Sequence, residues 1–143
     1  MNSGKEKNLE GKNLPEEIWK TISEYPNYEV SSAGRIRNKQ NERYLRHYCN
    51  KQLKQAYPFV RIYNENGGMT FYIHKLVMEA FSREECRCSA CGAKKEVNHI
   101  DGNKLNNSFT NLEYLTRQEN NDHSREKQRT KQREWWKNKN IKF

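Results

Sequence analysis

The sequence predicts an α+β protein, and three observations carry that prediction. Residues 17–72 fall into short runs rich in β-branched and aromatic side chains, with turn residues between them. Residues 74–81 change to helical apolar spacing, and Thr116 with Glu119 has the S/T-x-x-E form of a helix capping box ahead of a long polar, basic run. At 143 residues there is room for one compact domain or two small modules sharing a modest core.

Residues 1–13 have no hydrophobic period and are expected to form a flexible lead-in, with order starting near Leu14-Pro15. The runs I-W-K-T-I, Y-E-V-S, G-R-I-R, Y-P-F-V-R-I-Y and T-F-Y-I read as strands of a small antiparallel sheet. Ser31-Ser32-Ala33-Gly34 separates two of these runs, and Asn64-Glu65-Asn66-Gly67-Gly68 joins two others as a hairpin loop would. His74 to Phe81 places Leu76, Val77, Ala80 and Phe81 at i, i+1, i+4 and i+5, which predicts a helix packed on the sheet. Residues 14–81 thus read as a β-rich module closed by a linking helix.

Ser82 to Glu96 carries cysteines and charge but no apolar period, as an inserted loop would. Glu96 to Ile100 reads as a strand, Asp101-Gly102 as a turn, and Leu112 to Leu115 as a returning strand after a long polar loop. A helix starting at Arg117 should run on through the basic tail, residues 124–143.

With 27 Lys+Arg against 18 Asp+Glu, the net charge of +9 favours a polyanionic partner, nucleic acid first, because neutralising phosphates releases condensed counterions. A membrane surface would attract the same charge, but no long apolar run or signal-peptide core accompanies it, so a soluble intracellular protein is expected. Three of the four cysteines, Cys86, Cys88 and Cys91, crowd one segment, which suits metal binding or reduced thiols better than a disulfide framework.

The chemistry concentrates between Val97 and His123. With Thr116 as N-cap, Asn120 lies early in the helix and His123, Ser124 and Lys127 follow at i+3, i+4 and i+7, so an amide, an imidazole and an ammonium gather on one face. Asn98 and His99 point to opposite faces of a regular strand, and both reach one cleft only if the strand bends or ends there.

The stretch V-N-H-I-D-G-N-K-L-N-N-S-F-T-N-L-E-Y-L-T-R-Q-E-N-N-D-H resembles the HNH, or ββα-metal, endonuclease family, as found in phage and intron-encoded homing enzymes. The resemblance implies that His99 activates water, that Asn111 braces the loop and orients that histidine in the right tautomer, and that Asn120 binds metal. The family usually places an Asp or His metal ligand before the general base; Asn98 stands there instead. An amide oxygen is an uncharged ligand, so a site of Asn98 and Asn120 is expected to hold one Mg²⁺ or Mn²⁺ weakly. Upstream, E-I-W-K-T-I and Y-P-N-Y-E-V-S-S-A-G-R-I-R-N resemble the NUMOD4 module that often precedes HNH domains, and H-K-L-V-M-E-A-F resembles the helix that links the two.

The function the resemblance implies is metal-dependent hydrolysis of DNA by a homing-type nicking or cutting enzyme, acting on duplex DNA in the host cytoplasm if phage-encoded. The competing classes are a DNA-binding regulator whose nuclease centre has decayed, which the uncharged Asn98 favours, and a zinc-stabilised RNA-binding module.

Other residues carry plainer expectations. Cys88 and Cys91 form a C-x-x-C knuckle which, with Cys86 and either Cys49 or a histidine, would make a structural Zn²⁺ site; free thiols in a variable insert are the alternative. Arg35, Arg37, Lys39, Arg43, Arg46 and Arg61 upstream, and His123, Lys127, Arg129, Lys131 and Arg133 on the helix, are candidate DNA contacts, with Trp135-Trp136 packing on the domain or on nucleotides. His47 reads as structural, and His74 as a structural bond or a DNA contact. The D-G context gives Asp101 a turn role, and Asn103, Asn106 and Asn107 are expected to satisfy loop backbone groups without direct chemistry.

Overall fold

A computed structural model describes residues 16–50, 52, 56–84, 86–87 and 92–139. The expected lead-in lies outside them, as do Cys88 and Cys91. The described chain is α+β. Three antiparallel strands come first, β1 (Trp19–Ile22), β2 (Tyr25–Ser31) and β3 (Ile36–Asn38), followed by the hairpin of β4 (Phe59–Asn64) and β5 (Gly67–Tyr72). Helix α1 (Ile73–Phe81) leads to a second hairpin, β6 (Lys95–His99) and β7 (Leu112–Thr116), and to the long helix α2 (Arg117–Lys139).

The β-rich half differs from the expected single sheet. It is a three-stranded sheet and a separate two-stranded one, and the segment between them bridges both, with Tyr44 paired to Arg37 of β3 and Tyr48 paired to Phe59 of β4. Tyr48 and Phe59 exchange both backbone hydrogen bonds at 2.8 Å. The run between the two sheets, residues 39–58, is polar and carries too little alternation to predict more than a loop.

Alternation decides what each strand buries. Val30 of β2, Ile36 of β3 and Val60 and Ile62 of β4 are fully buried, and α1 adds Ile73, Leu76, Val77 and Met78 from one side. Leu112 of β7 belongs to the same cluster, with Val97, Phe109 and Tyr114 packed against it. The linking helix is therefore a shared core element: it touches β1, β2 and β5 on one hand and β6 and β7 on the other. The modules read separately in the sequence are fused around α1, which fixes the second hairpin relative to the first half of the chain.

Helix α2 owes nothing to burial, since none of its described residues is buried. It starts on the expected capping box: the Thr116 amide and hydroxyl both donate to Glu119 Oε2, at 2.7 and 2.8 Å, and the Glu119 amide donates back to Thr116 Oγ1 at 3.4 Å. These bonds hold the Glu119 carboxyl below its usual range. Among the described residues, no helix is long and apolar enough to cross a membrane.

Candidate active site

The second hairpin and the start of α2 form the frame of the site. The register pairs Asn98 with Glu113 and His99 with Leu112, so Glu96 and Asn98 share one face of β6 while Val97 and His99 share the other. On the first face the Asn98 amide donates to Glu113 Oε1 at 2.8 Å. The Asn120 amide donates to Glu96 Oε2 at 3.5 Å, which places the first turns of α2 on that same face. Farther along, Lys127 Nζ donates to the Ile100 carbonyl at 2.8 Å and ties the helix to the end of the strand. Each asparagine implied as a metal ligand thus has a carboxylate beside it. Neither Glu96 nor Glu113 is singled out by the sequence; the signal for Glu113 is its register opposite Asn98, which strand pairing alone reveals.

On the opposite face His99 is almost fully buried, at 4% exposure. Its Nε2 lies 2.9 Å from Asn107 Oδ1. Since Oδ1 can only accept, Nε2 carries the proton, and in the neutral ring Nδ1 keeps the lone pair a base needs. The ring also meets Tyr57, stacked at 5.9 Å between centroids, and His74, edge-on at 5.4 Å.

This corrects the expected division of labour among the loop asparagines. Asn111 braces the loop but does not hold the imidazole: its amide donates to Asp101 Oδ1 at 3.0 Å and to the Asn106 carbonyl at 2.9 Å, while its Oδ1 accepts the Asp101 amide at 3.1 Å. Asn107, expected to serve only backbone groups, is the residue bonded to His99. The physical reason is the route of the chain. His99 to Gly102 forms a turn, Gly102 N donating to His99 O at 2.9 Å, but the strand does not return there. It makes an excursion to the 3-10 turn Phe109–Asn111, and this carries Asn107 back over the strand end, buried at 6% exposure.

Asp101 is the hub of that excursion. Its carboxylate accepts the Asn103 amide at 2.7 Å, the Asn106 side chain at 2.9 Å and the Asn111 side chain at 3.0 Å. The Asn106 bond, then those of Asn103 and Asn111, hold it below the usual carboxylate range. Its turn role agrees with expectation, as does backbone service by Asn103, whose Oδ1 accepts the Leu105 amide at 3.1 Å; the Asn106 side chain serves the Asp101 carboxylate instead of a backbone group.

A cleft of about 680 Å³ is lined by Tyr57, Tyr72, His74, Glu96, Val97 and Asn120 among others; His99 does not line it but packs behind Tyr57 and His74. His74, at the start of α1, is 5% exposed, and its Nδ1 is a buried side-chain atom with no hydrogen-bond partner among the described residues. Burial pushes its pKa down to about 4, with His99, Lys75 and Lys104 adding repulsion, so the ring stays neutral at physiological pH. Lys104 sits over the Tyr57 ring at 4.1 Å.

The candidate DNA contacts divide into groups. Arg35 and Arg37 are committed within the chain: Arg35 pairs with Glu17, Arg37 pairs with Glu29 at 2.9 Å, and the Arg37 guanidinium lies 4.1 Å from the Trp19 ring. Lys39 reaches Thr21 Oγ1 at 3.5 Å, and Lys127 is bound to Ile100. Arg43 and Arg61 instead come together with Arg46 in a second cleft, of about 660 Å³, walled by Tyr44, Tyr48 and Tyr63. His123, Arg129, Lys131 and Arg133 are exposed along α2. Of the zinc candidates, Cys49 and Cys86 are exposed and free; Cys49 Sγ donates to Ala56 O at 3.5 Å. A cage of three or more His, Cys, Asp or Glu side chains does not occur among the described residues.

Comparison with known proteins matches both halves. Residues 17–63 match the NUMOD4 motif and residues 91–122 match the HNH endonuclease family. An uncharacterized HNH endonuclease of Acanthamoeba polyphaga mimivirus is 33% identical over 106 residues, 74% of this chain and 29% of that protein. The H-N-H endonuclease F-TflII of Escherichia phage T5 is 31% identical over 103 residues, 72% of this chain and 50% of that protein. The DNA endonuclease I-HmuI of Bacillus phage SP01 is 32% identical over 103 residues, 71% of this chain and 54% of that protein. A solved structure described as DNA binding and cleavage by the HNH homing endonuclease I-HmuI superposes with a TM-score of 0.66 at 28% identity, covering 86% of this chain and 68% of that one. The chain spans about half, or less, of the length of the curated relatives it matches.

Proposed function

From the premise that the chain belongs to the HNH endonuclease family and carries a NUMOD4 motif ahead of its HNH motif, we propose that it hydrolyses phosphodiester bonds in duplex DNA, with His99 as general base. The observation that carries the proposal is the bond from His99 Nε2 to Asn107 Oδ1, because it leaves Nδ1 unprotonated in a neutral ring. In this reading Nδ1 takes a proton from water as the water attacks phosphorus, a contribution of roughly 10² to 10⁴ in rate. Asn107 is the positioning residue for the ring, and Asn111 with Asp101 keeps the loop that carries Asn107 in place.

HNH endonucleases generally use a divalent metal, and in this reading Asn98 and Asn120 with their neighbouring carboxylates are the residues that would hold it. Asn98 and Asn120 offer amide oxygens on the face between β6 and α2, and Glu113 and Glu96 bring carboxylates to each of them. An all-oxygen donor set suits a hard cation such as Mg²⁺ or Mn²⁺. β6 ends at His99, so in this reading DNA lies across the strand end, where an ion bound on the Asn98 face would supply charge stabilisation at the scissile phosphate that the His99 side addresses. In this reading Glu113, across from Asn98 on the facing strand, would supply the charge that the amide lacks, which favours an active site over a decayed one. DNA is held in this reading by the exposed cations of α2 and by Arg43 and Arg61, with the tyrosines of their cleft against sugar or base surfaces.

The test is nicking of supercoiled and linear DNA in Mg²⁺, Mn²⁺ or EDTA by the wild type, His99→Ala and Asn120→Ala. Metal-dependent nicking lost in His99→Ala, with DNA binding retained, supports the assignment. Nicking that persists in EDTA or in His99→Ala overturns it.

A further inference from the structure

The turn between β2 and β3 belongs to the NUMOD4 segment, yet it lies against the residue bonded to His99. The turn is tight: Gly34 N donates to Ser31 O at 3.0 Å, Ser31 N donates to Arg35 O at 2.8 Å, and Arg35 N donates to Ser31 Oγ at 2.9 Å. Gly34 is buried at φ +82°, a left-handed conformation open to glycine at little cost. A Cβ placed there would lie 2.8 Å from the Asn107 carbonyl oxygen and 2.9 Å from Asn107 Cβ, closer than real Cβ contacts come. Two residues beyond Asn107, Phe109 N donates to Ser32 O at 2.8 Å, so the turn grips the loop by a backbone bond as well.

We infer that the β2–β3 turn sets the position of the nuclease loop, and that Gly34 is a positioning residue for the general base, acting through Asn107 on the ring of His99. The bare α-carbon of Gly34 lets the Asn107 backbone seat against the turn, and the Ser32–Phe109 bond fixes the loop along its length. From that seat Asn107 Oδ1 reaches His99 Nε2 at 2.9 Å and holds the proton on that nitrogen. The upstream segment would then complete the catalytic site as well as contact DNA, and the nuclease motif without it would have a loosely held base. The inference rests on the reading of His99 as the base.

Two consequences separate positioning from general support of the fold. Gly34→Ala should lower kcat by on the order of 10- to 100-fold, the range typical of outer-shell partners that orient a reacting group, while DNA affinity stays within about twofold. If Gly34 acts through Asn107, the double variant Gly34→Ala/Asn107→Ala should be no slower than Asn107→Ala alone, because the second change has nothing left to disturb. Ser31→Ala is the companion variant should Gly34→Ala fail to fold. It removes the Oγ bond to Arg35 N and loosens the turn without adding a Cβ, and should show a smaller loss with the same non-additivity.

The experiment combines single-turnover nicking by these variants with ¹⁵N NMR of the His99 ring, which reports the tautomer whether or not DNA is cut. The inference expects a fixed Nε2–H tautomer in the wild type and a mixed one in Gly34→Ala or Ser31→Ala, together with the non-additive rates. A fixed tautomer in both turn variants, or losses that multiply with that of Asn107→Ala, would overturn it. A wild type that cuts no DNA would refute the nuclease reading instead, and the NMR result would still decide whether the turn positions the ring.

Discussion

Lowering the pH should weaken the fold through His74, and the structure sets the size of the effect. The ring is 5% exposed, its Nδ1 has no partner among the described residues, and burial lowers its pKa from 6.5 to about 4. A depressed folded-state pKa means that the unfolded chain binds the proton more readily, so stability is complete above pH 6.5 and is lost as pH falls toward 4. At pH 5 the unfolded imidazole is almost fully protonated and the folded one is mostly neutral. With each pKa unit equal to about 1.4 kcal/mol, this removes about 2 kcal/mol between pH 7 and pH 5, on the way to about 3 kcal/mol below pH 4.

Urea unfolding at the two pH values measures it. A slope of about 2 kcal/mol per molar puts the wild-type midpoint about 1 M lower at pH 5. His74→Phe keeps a ring against Tyr57, Tyr72 and His99 and has nothing to titrate, so its midpoint should move much less. Equal shifts in wild type and His74→Phe would refute the reasoning.

Asn107→Ala strands the buried Nε2–H of His99; an unmet hydrogen bond costs about 1 to 3 kcal/mol, which predicts a drop of about 5- to 160-fold in single-turnover nicking, and a rate within twofold of wild type would return Asn107 to a loop role. Glu113→Gln should weaken Mn²⁺ binding, followed by electron paramagnetic resonance, by about tenfold or more, whereas unchanged affinity would leave the carboxylate as a partner of Asn98 only. Replacing both Arg43 and Arg61 by Ala should lower DNA affinity and flatten its salt dependence by up to about 2 in slope, as expected for two lost phosphate contacts; an unaltered slope would remove their cleft from the DNA surface.

The local elements are legible where their signals sit within a few residues of one another. Thr116 and Glu119 announce the start of α2, the apolar spacing from Leu76 to Phe81 announces α1, and Asn64–Gly68 announces the β4–β5 hairpin, because caps, periodicity and turns are short-range properties. The division into two sheets was not legible, since it depends on isolated pairings of Tyr44 and Tyr48 within a run without alternation. In the site, His99 and Asn120 follow from the motif, but the partner of His99 does not. Asn103, Asn106, Asn107 and Asn111 are alike as residue types, and only the path of the loop, pinned by Asp101 and by the β2–β3 turn, selects Asn107. Glu113 was hidden for a similar reason: its nearness to Asn98 is a matter of register across β6 and β7.

The most direct test of the central claim is single-turnover nicking of supercoiled DNA by the wild type and His99→Ala, each with Mg²⁺ and with EDTA, alongside a DNA-binding measurement on the same samples. The assignment of His99 as general base predicts metal-dependent nicking that falls by about 10² to 10⁴ in His99→Ala with binding unchanged. Nicking at the wild-type rate by His99→Ala would contradict it.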